Sequence, residues 1–463
     1  MNRILSDTKA MLRDIAFLKK VLTIALPVAM QGMLNTVVNL VDNLMIGSLG
    51  STAIASVGLA NKVFFVFTLL VFGVASGSGV LAAQYWGNQD VKNIRKVLGI
   101  GLLISLTGAI LFLTPARLKP ELMMRIFTTS QASIQMGAAY LAVVAFSYPC
   151  TAISNTYVAM LRAVNHVKAP VVISCVAIMV NIVFNYILIY GKLGAPALGV
   201  AGAAIATLIA RVVEMTLIIV VVYVGKTPLA CRLRELFGYT REFLRQFFRT
   251  AIPVICNEFV WGLGITIYSM AYGRMGDDAV AAITIATTIQ DIVVVLFQGL
   301  SAATAVILGN EMGAGKLKQA ELYAKYIFIL QFMLTIFAAL VIVTLRWPFI
   351  SLYQPGISDE VAMSVSRCLL MFALFTPAKM FNFVNIVGVL RSGGDTMMCL
   401  FIDTSGVWFI GIPLAFIGGL VLKQPIHIVY GMVMLEEVYK AAIGFWRYRQ
   451  KKWLRNLAVE LEV

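Results

Sequence analysis

Twelve apolar runs, none shorter than 20 residues, occupy most of the chain: 21–46, 54–82, 97–116, 133–160, 169–191, 197–224, 251–274, 279–309, 326–346, 361–390, 397–421 and 425–446. A helix needs roughly 20 apolar residues to cross a hydrocarbon core of about 30 Å. Within lipid, only helices and closed barrels satisfy their own backbone N–H and C=O groups. Barrel strands alternate in polarity over about ten residues, and these runs are longer and unbroken. Only 13% of residues are charged, against roughly 25% in a soluble domain. The expected fold is an all-α polytopic membrane protein of twelve transmembrane helices.

The runs fall into two sets of six because the chain repeats itself. Ala25-Leu26-Pro27 returns 226 residues later as Ala251-Ile252-Pro253. The same spacing carries Gly47, Gly50, Gly73 and Gly87 onto Gly273, Gly276, Gly299 and Gly313, four of the eight glycines between 25 and 90, where chance predicts fewer than one. Further on the offset grows: Pro149 matches Pro377 at 228, and Leu161-Arg162 matches Leu390-Arg391 at 229. Six spans being an even number, both halves enter from the same side, so a pseudo-two-fold axis along the membrane normal relates them, with a solute cleft expected between them. The expected organisation is an N-terminal lobe (1–225), a basic cytoplasmic linker (226–249), a C-terminal lobe (250–446) and a basic tail (447–463). Arginines interleaved with Phe237, Phe243, Phe247 and Phe248 make the linker read as an amphipathic helix on the membrane surface.

Net charge is +15, which raises nucleic acid as a partner, but the distribution of charge argues for membrane topology instead. With cytoplasmic termini, cytoplasmic segments hold 25 Lys and Arg and the opposite face 7. That is the positive-inside bias of a multi-pass cell-membrane (inner-membrane) protein, its basic segments meeting anionic lipid. Five of the six cysteines lie inside apolar spans without CxxC spacing, so neither a disulfide framework nor a thiolate metal site is expected. The first apolar run exceeds signal-peptide length and carries Gln31, Asn35 and Asn39, so no cleavable signal is expected.

Charges inside the spans narrow the function. Each costs about 2.5–3.5 kcal/mol on insertion scales unless it faces protein, water or a partner. Arg211 with Glu214, and Glu437 with Lys440, sit three apart and read as ion pairs on one helix face; at a spacing of 226 their charges are reversed. In the first span Gln31, Asn35, Asn39 and Asp42 or Asn43 form one polar stripe, either a helix-packing seam or, given the acid, a cation or proton site. Asp42 has Tyr268 as its repeat mate. Asn257, Glu258 and Trp261 open a comparable stretch in the seventh span; Asp291, Lys379 and Asp403 lie in the eighth, tenth and eleventh without an obvious local partner. These are candidates for a solute cavity or for buried pairs. Asn310–Leu317 imitates a phosphate loop, but Asn310 replaces the first Gly and Leu317 the Ser/Thr that would hold magnesium. His166 and His427, the only histidines, lie near span ends, so no catalytic or metal cluster is built on them.

The residues around Asp42 (Asn-Leu-Val-Asp-Asn-Leu-Met-Ile-Gly) with Pro27, Gln84-Tyr85-Trp86-Gly87, Gly202-Ala-Ala-Ile-Ala-Thr207 and Leu390-Arg391-Ser-Gly-Gly-Asp-Thr396 resemble the multidrug and toxic compound extrusion (MATE) family over essentially the whole chain. The resemblance implies two six-helix lobes exporting organic cations in exchange for inward H⁺ or Na⁺. By position, Asp42 looks like the family's coupling acid and Pro27 like its helix-bending proline. Asn181, Asn185 and Thr207 look like companions in cation binding. Asn185 stands where some members carry an acid, Lys379 stands next to Met380, near which some carry another, and Glu258 lies close to a seventh-helix acid position. The expected protein is a monomeric secondary exporter, not an enzyme. Its expected partners are small organic cations and membrane lipid, without nucleic acid, and it needs no cofactor beyond H⁺ or Na⁺. The alternatives are a flippase for lipid-linked saccharides, for which Lys62 and Lys379 supply little positive charge, and a membrane-embedded enzyme, for which no nucleophile or metal constellation is found.

Overall fold

The computed structural model describes residues 2–353 and 357–459; Met1, residues 354–356 and the last four residues of the expected basic tail lie outside it. In chain order the helices are α1 (Asn2–Arg13), α2 (Ile15–Gly47), α3 (Ser51–Gly87), α4 (Val91–Leu118), α5 (Pro120–Arg125), α6 (Gln131–Val144), α7 (Ser147–Ala163), α8 (Lys168–Tyr190) and α9 (Gly199–Val224). They continue with α10 (Leu233–Leu236), α11 (Arg241–Gly273), α12 (Asp277–Gly313), α13 (Leu317–Ser351), α14 (Asp359–Asn382), α15 (Thr396–Gly406), α16 (Ile412–Phe416) and α17 (Ile426–Arg449). Wider π-type turns extend α14 through Phe383–Leu390, join α15 to α16 at Val407–Gly411 and extend α16 through Ile417–Val421. No strand occurs among the described residues. Among the described residues, ten helices are long and apolar enough to cross a membrane, and α6 with α7, bent by 51°, passes the same test when the two are taken together. The twelfth, α17, has 24 residues and is set apart by Glu436, Glu437 and Lys440. The chain is an all-α polytopic membrane protein.

The duplication is built into the backbone. Gly50 and Gly276 hold φ of 105° and 113° just before α3 and α12, helices of 37 residues each. That left-handed region is open to glycine and strained for other residues. The later, longer offset also has a backbone counterpart: Asn165 (φ 64°) and Gly394 (φ 75°) make the same left-handed turn after Arg162 and Arg391.

Two compact units emerge, residues 30–255 and residues 1–29 with 256–463. Helices α2 and α11 therefore each contribute to both, changing unit two residues after Pro27 and Pro253. A proline inside a helix removes one backbone hydrogen bond and is a natural place for such a division. The packing of the first half of each helix is correspondingly repeated. In the N-terminal unit a side chain on Gly73 of α3 would press on the Ile255 backbone (Cα at 2.7 Å); in the C-terminal unit one on Gly299 of α12 would press on the Ala25 carbonyl. Tyr85 hydroxyl donates to Gln246 at 3.0 Å in the first unit, and Lys20 pairs with Glu311 at 2.9 Å in the second. Those are the same two repeat positions in both cases.

The N-terminal core centres on Phe67, stacked on Tyr148 with ring centroids 4.9 Å apart, among Leu141, Val144 and Ala204. The C-terminal core includes Phe372, Leu369, Val389 and Val433. The basic segment 226–249 is not one surface helix. It is irregular chain, the four-residue α10, and the first turns of α11. Phe243 and Phe247, one turn apart, are buried, with Phe243 stacked on Tyr85 at 6.0 Å; packing on α3 makes these residues the root of a transmembrane helix.

Candidate functional site

In the N-terminal unit, α2 and α8 bring three expected residues together. Asn185 Nδ2 donates to Asp42 Oδ1 at 2.6 Å and to Asn181 Oδ1 at 3.2 Å. Asn181 and Asn185, one turn apart on α8, are buried, and Asp42 is half-buried. Asn185 Oδ1 is buried without a hydrogen-bond partner. Thr207 on α9 joins through Tyr140 of α6, with which it shares a hydrogen bond and whose hydroxyl lies within electrostatic reach of Asp42. Tyr140 gave no sequence signal. Arg211, one turn beyond Thr207, is close enough to Asp42 to act on its charge and is paired to Glu214 at 2.7 Å.

Gln31, on the same helix as Asp42, belongs to a second, connected set. Arg162 donates to Gln31 Oε1, Gln31 Nε2 donates to Ser174 Oγ at 2.7 Å, and Ser174 lies 3.5 Å from Glu214. The polar stripe of α2 is thus split. Gln31 is buried in this network, while Asn35 and Asn39 are exposed.

The C-terminal unit builds a related but more acidic network. Arg391 pairs with Glu258 at 3.0 Å, both buried. Asn257 Nδ2 donates to Asp403 at 2.9 Å. Lys440 on α17 stands among three carboxylates, Glu436 at 3.2 Å, Asp403 at 3.9 Å and Glu437 at 4.0 Å. Tyr268 donates to the other oxygen of Glu436. Glu258 and Asp403, which lacked visible partners in the sequence, are therefore engaged. Asp291, exposed on α12, lies within electrostatic reach of Lys379, which also sits 5.6 Å from the Phe372 ring centre. Trp261 is exposed. The expected Glu437–Lys440 pair exists, but Glu436 is the nearer partner.

The two networks align at the longer offset of 229, which sets Arg162 on Arg391, Ser174 on Asp403 and Arg211 on Lys440. The Gln31–Ser174 bond in one unit thus becomes Asn257–Asp403 in the other. The charge reversal expected at 226 dissolves, because cation falls on cation once the second copy is allowed the three extra residues it gains between Gly313 and Arg391.

A surface pocket of about 710 Å³ shares no lining residue with these networks; Lys20, Glu311, Lys316 and Lys318 line it at the turn between α12 and α13. It coincides with the phosphate-loop look-alike. Among the described residues no three His, Cys, Asp or Glu side chains converge closely enough to hold a metal ion.

Known proteins resemble this chain along its whole length. The family model described as MatE matches residues 27–187 and 253–417, two stretches that begin on Pro27 and Pro253. The uncharacterized transporter YisQ of Bacillus subtilis is 25% identical over 422 residues, 90% of either chain. The probable multidrug resistance protein NorM of Neisseria meningitidis serogroup B is 24% identical over 416 residues, 86% of either chain. Among solved structures, a MATE protein in its bent conformation superposes with a TM-score of 0.85 at 20% identity, covering 94% of this chain and 95% of that one. A MOP superfamily transporter from Pyrococcus furiosus, reported with a binding pocket of reverse polarity, gives 0.84 at 21% identity, with 94% and 95% covered. The structures establish the shared fold, and the family model spans both halves of the duplication: the chain belongs to the MatE family, the MATE transporters.

Proposed function

We propose that this protein is a secondary exporter of organic cations, driven by inward movement of protons through Asp42. The carrying observation is the contact set of Asp42: Asn185 donates to one carboxylate oxygen while its own Oδ1, buried beside that carboxyl, lacks a donor. Protonation of Asp42 supplies one. Multidrug-resistance relatives such as NorM support the efflux reading. Arg211, within reach of Asp42, argues against a sodium ion, which would add a second cation to the same neighbourhood and require several oxygens. Sodium remains the second reading because Asn185 Oδ1 and the Thr207 hydroxyl are oxygens on the same cluster.

Proton and substrate are coupled when each has a different affinity for the two conformations that expose the site to opposite sides. The proposed protein sits as a monomer in the cell membrane with both termini cytoplasmic, and it carries out no covalent chemistry. The excess of buried carboxylates over bases in the C-terminal unit favours a cationic solute over the anionic diphosphate of a flippase.

The test is uptake of a fluorescent organic cation such as ethidium into everted vesicles under an imposed H⁺ or Na⁺ gradient. The expected result is H⁺-driven transport that Asp42→Asn reduces to the level of vesicles lacking the protein. Transport unchanged by Asp42→Asn overturns the assignment, and transport driven by Na⁺ alone selects the second reading.

A further inference from the structure

The turn between α12 and α13 borders a basic cavity that the export reading does not use. Three membrane-crossing helices wall this space of about 710 Å³: Lys20 comes from α2, Glu311 from α12, Lys318, Gln319 and Tyr323 from α13, with Lys316 in the turn. Three lysines therefore meet one acid, and that acid is engaged by Lys20 at 2.9 Å. Glu321, Asp7 and Asp14 are occupied elsewhere, by Lys451 at 2.6 Å, by Lys325 and by the Phe17 N–H at 2.9 Å. Among the described residues no carboxylate pairs with Lys316 or Lys318, both exposed.

The sister copy shows what such a turn can hold. At a spacing of 226, Asp90 falls on Lys316 and Asn93 on Gln319. Both turns place a positive φ just before this position, 59° at Gln89 and 75° at Gly315. The backbone that follows is nearly the same, with φ and ψ of −89° and 76° at Asp90 and of −85° and 56° at Lys316. In the first copy the Asp90 carboxylate fills the turn, accepting from the Asn93 main-chain N–H at 3.0 Å and from its side-chain amide at 2.6 Å. In the second copy a lysine replaces that carboxylate, and α13 begins without a side-chain cap. The anion that one copy carries in its own sequence is left, in the other, for an outside group to supply.

A phosphate group suits the donors available. The N–H groups of Ala314, Gly315 and Lys316 are spent on the carbonyls of Asn310, Met312 and Glu311, so the turn itself is no nucleotide loop. Those of Leu317, Lys318 and Gln319 open α13, where helix geometry leaves them without intrahelical acceptors, and all three residues line the cavity. Lysine meets phosphate as a point charge, here in three copies. The place in the membrane points to the source of the phosphate, because basic pockets between membrane-crossing helices take phospholipid headgroups. Tyr323 and Phe17, with ring centroids 4.9 Å apart, give the wall beside Lys20 the aromatic character of a membrane interface. Leu322, one turn along α13 from Lys318, is exposed and offers apolar surface to an acyl chain. The turn is held in place from its other side, where the Asn456 amide donates to the Gly313 carbonyl at 3.2 Å.

We propose that this cavity binds the phosphate of an anionic phospholipid, with Lys20, Lys316 and Lys318 meeting its charge and the start of α13 adding neutral donors. On the topology proposed above, it opens on the cytoplasmic leaflet. Binding is noncovalent and requires no transport, so it stands or falls separately from Asp42 and from export.

The experiment adds dioleoylphosphatidylglycerol or dioleoylphosphatidylcholine to the purified full chain in detergent and reads the lipid adducts by native mass spectrometry. The unsubstituted protein should retain the first phosphatidylglycerol in preference to phosphatidylcholine, whose choline charge the lysines repel. Lys316→Gln with Lys318→Gln should weaken that retention at least about fivefold, the factor expected from one lysine near an anionic headgroup. Lys92→Gln with Lys96→Gln, which removes two charges from the sister helix α4, should leave it unchanged. Lys316→Asp gives α13 the cap of its sister; it should abolish the retention and raise the Tm of the lipid-free protein. Inorganic phosphate, titrated into lipid-free protein while Tm is followed, tests for a free anion. A Tm rise that requires Lys316 and Lys318, with phosphatidylglycerol retention indifferent to both, overturns the lipid assignment in favour of free phosphate. Equal losses in the Lys316/Lys318 and Lys92/Lys96 variants overturn the site as unspecific charge attraction, and retention unchanged in every variant overturns it outright.

Discussion

The two units started as copies and now hold their buried charges differently. In the N-terminal unit Arg162 is satisfied by a neutral amide, Gln31, and Arg211 by one glutamate, with Asp42 also within its electrostatic reach. In the C-terminal unit the corresponding arginine, Arg391, meets a full carboxylate, Glu258, and Lys440 faces three acids. The cation positions survived duplication and the acids around them changed. A fixed positive group sits in each bundle, and the number of carboxylates around it differs between the two units.

The largest expected effect breaks this comparison at the two arginines. Removing one partner of a buried ion pair strands the other charge, at roughly 3–5 kcal/mol. Losing a hydrogen bond to a neutral buried amide costs about 1–3 kcal/mol. Arg391→Leu should therefore destabilise the protein more than Arg162→Leu, read from thermal unfolding in detergent micelles. Equal losses would mean that Glu258 is already neutral, and a second substitution, Glu258→Gln in the Arg391→Leu background, would then restore nothing.

The frame was plain in the sequence and the sites only partly so. Glycines at fixed spacing disclosed the repeat because each has a backbone reason: Gly50 and Gly276 adopt the same positive φ, and Gly73 and Gly299 both lie against the backbone of another helix. Asp42 stood out as an acid in an apolar span, but its meeting with Asn185 came from family resemblance, since nothing in helical periodicity says which face of α8 turns toward α2. Glu436 was invisible beside Glu437. Both lie within one turn of Lys440, at spacings of four and three, and both spacings allow a pair. Tyr140 was hidden because an aromatic residue in an apolar span reads as core. The change of unit partway along α2 and α11 was not legible either; the prolines mark it only once the packing is known.

The glycine contacts give a test of intermediate size. A Cβ at Gly73 or at Gly299 meets backbone atoms of another helix, which cannot swing aside as a side chain can. Each Gly→Ala change should cost about 1–3 kcal/mol through overpacking, and the two losses should be similar, because each glycine faces the backbone of the partner helix within the same two repeat elements. Gly79→Ala provides the contrast: a Cβ there meets nothing within 4 Å. It should leave the unfolding temperature nearly unchanged or slightly raised, since alanine favours helix by about 1 kcal/mol. If Gly73→Ala and Gly299→Ala differ widely, the packing of α2 on α12 has drifted from that of α11 on α3.

The smallest effect concerns a partly exposed contact whose chemistry also differs between the copies. Lys20 and Glu311 form an ion pair at 2.9 Å, with the lysine side chain half exposed, where the other unit has Gln246 and Tyr85 joined by a neutral hydrogen bond of 3.0 Å. Exposed pairs of this kind contribute about 0–1 kcal/mol and are screened by salt. Lys20→Gln gives the C-terminal unit the neutral amide of its sister. It should therefore lower stability by no more than about 1 kcal/mol, and the difference from the unsubstituted protein should shrink as salt is added. Lys20 also lies 5.5 Å from the Tyr323 ring centre, and that attraction disappears with the ammonium group. A loss that persists undiminished at high salt would assign the contact to packing against Tyr323, and the ionic version of this joint would then add nothing over the neutral one.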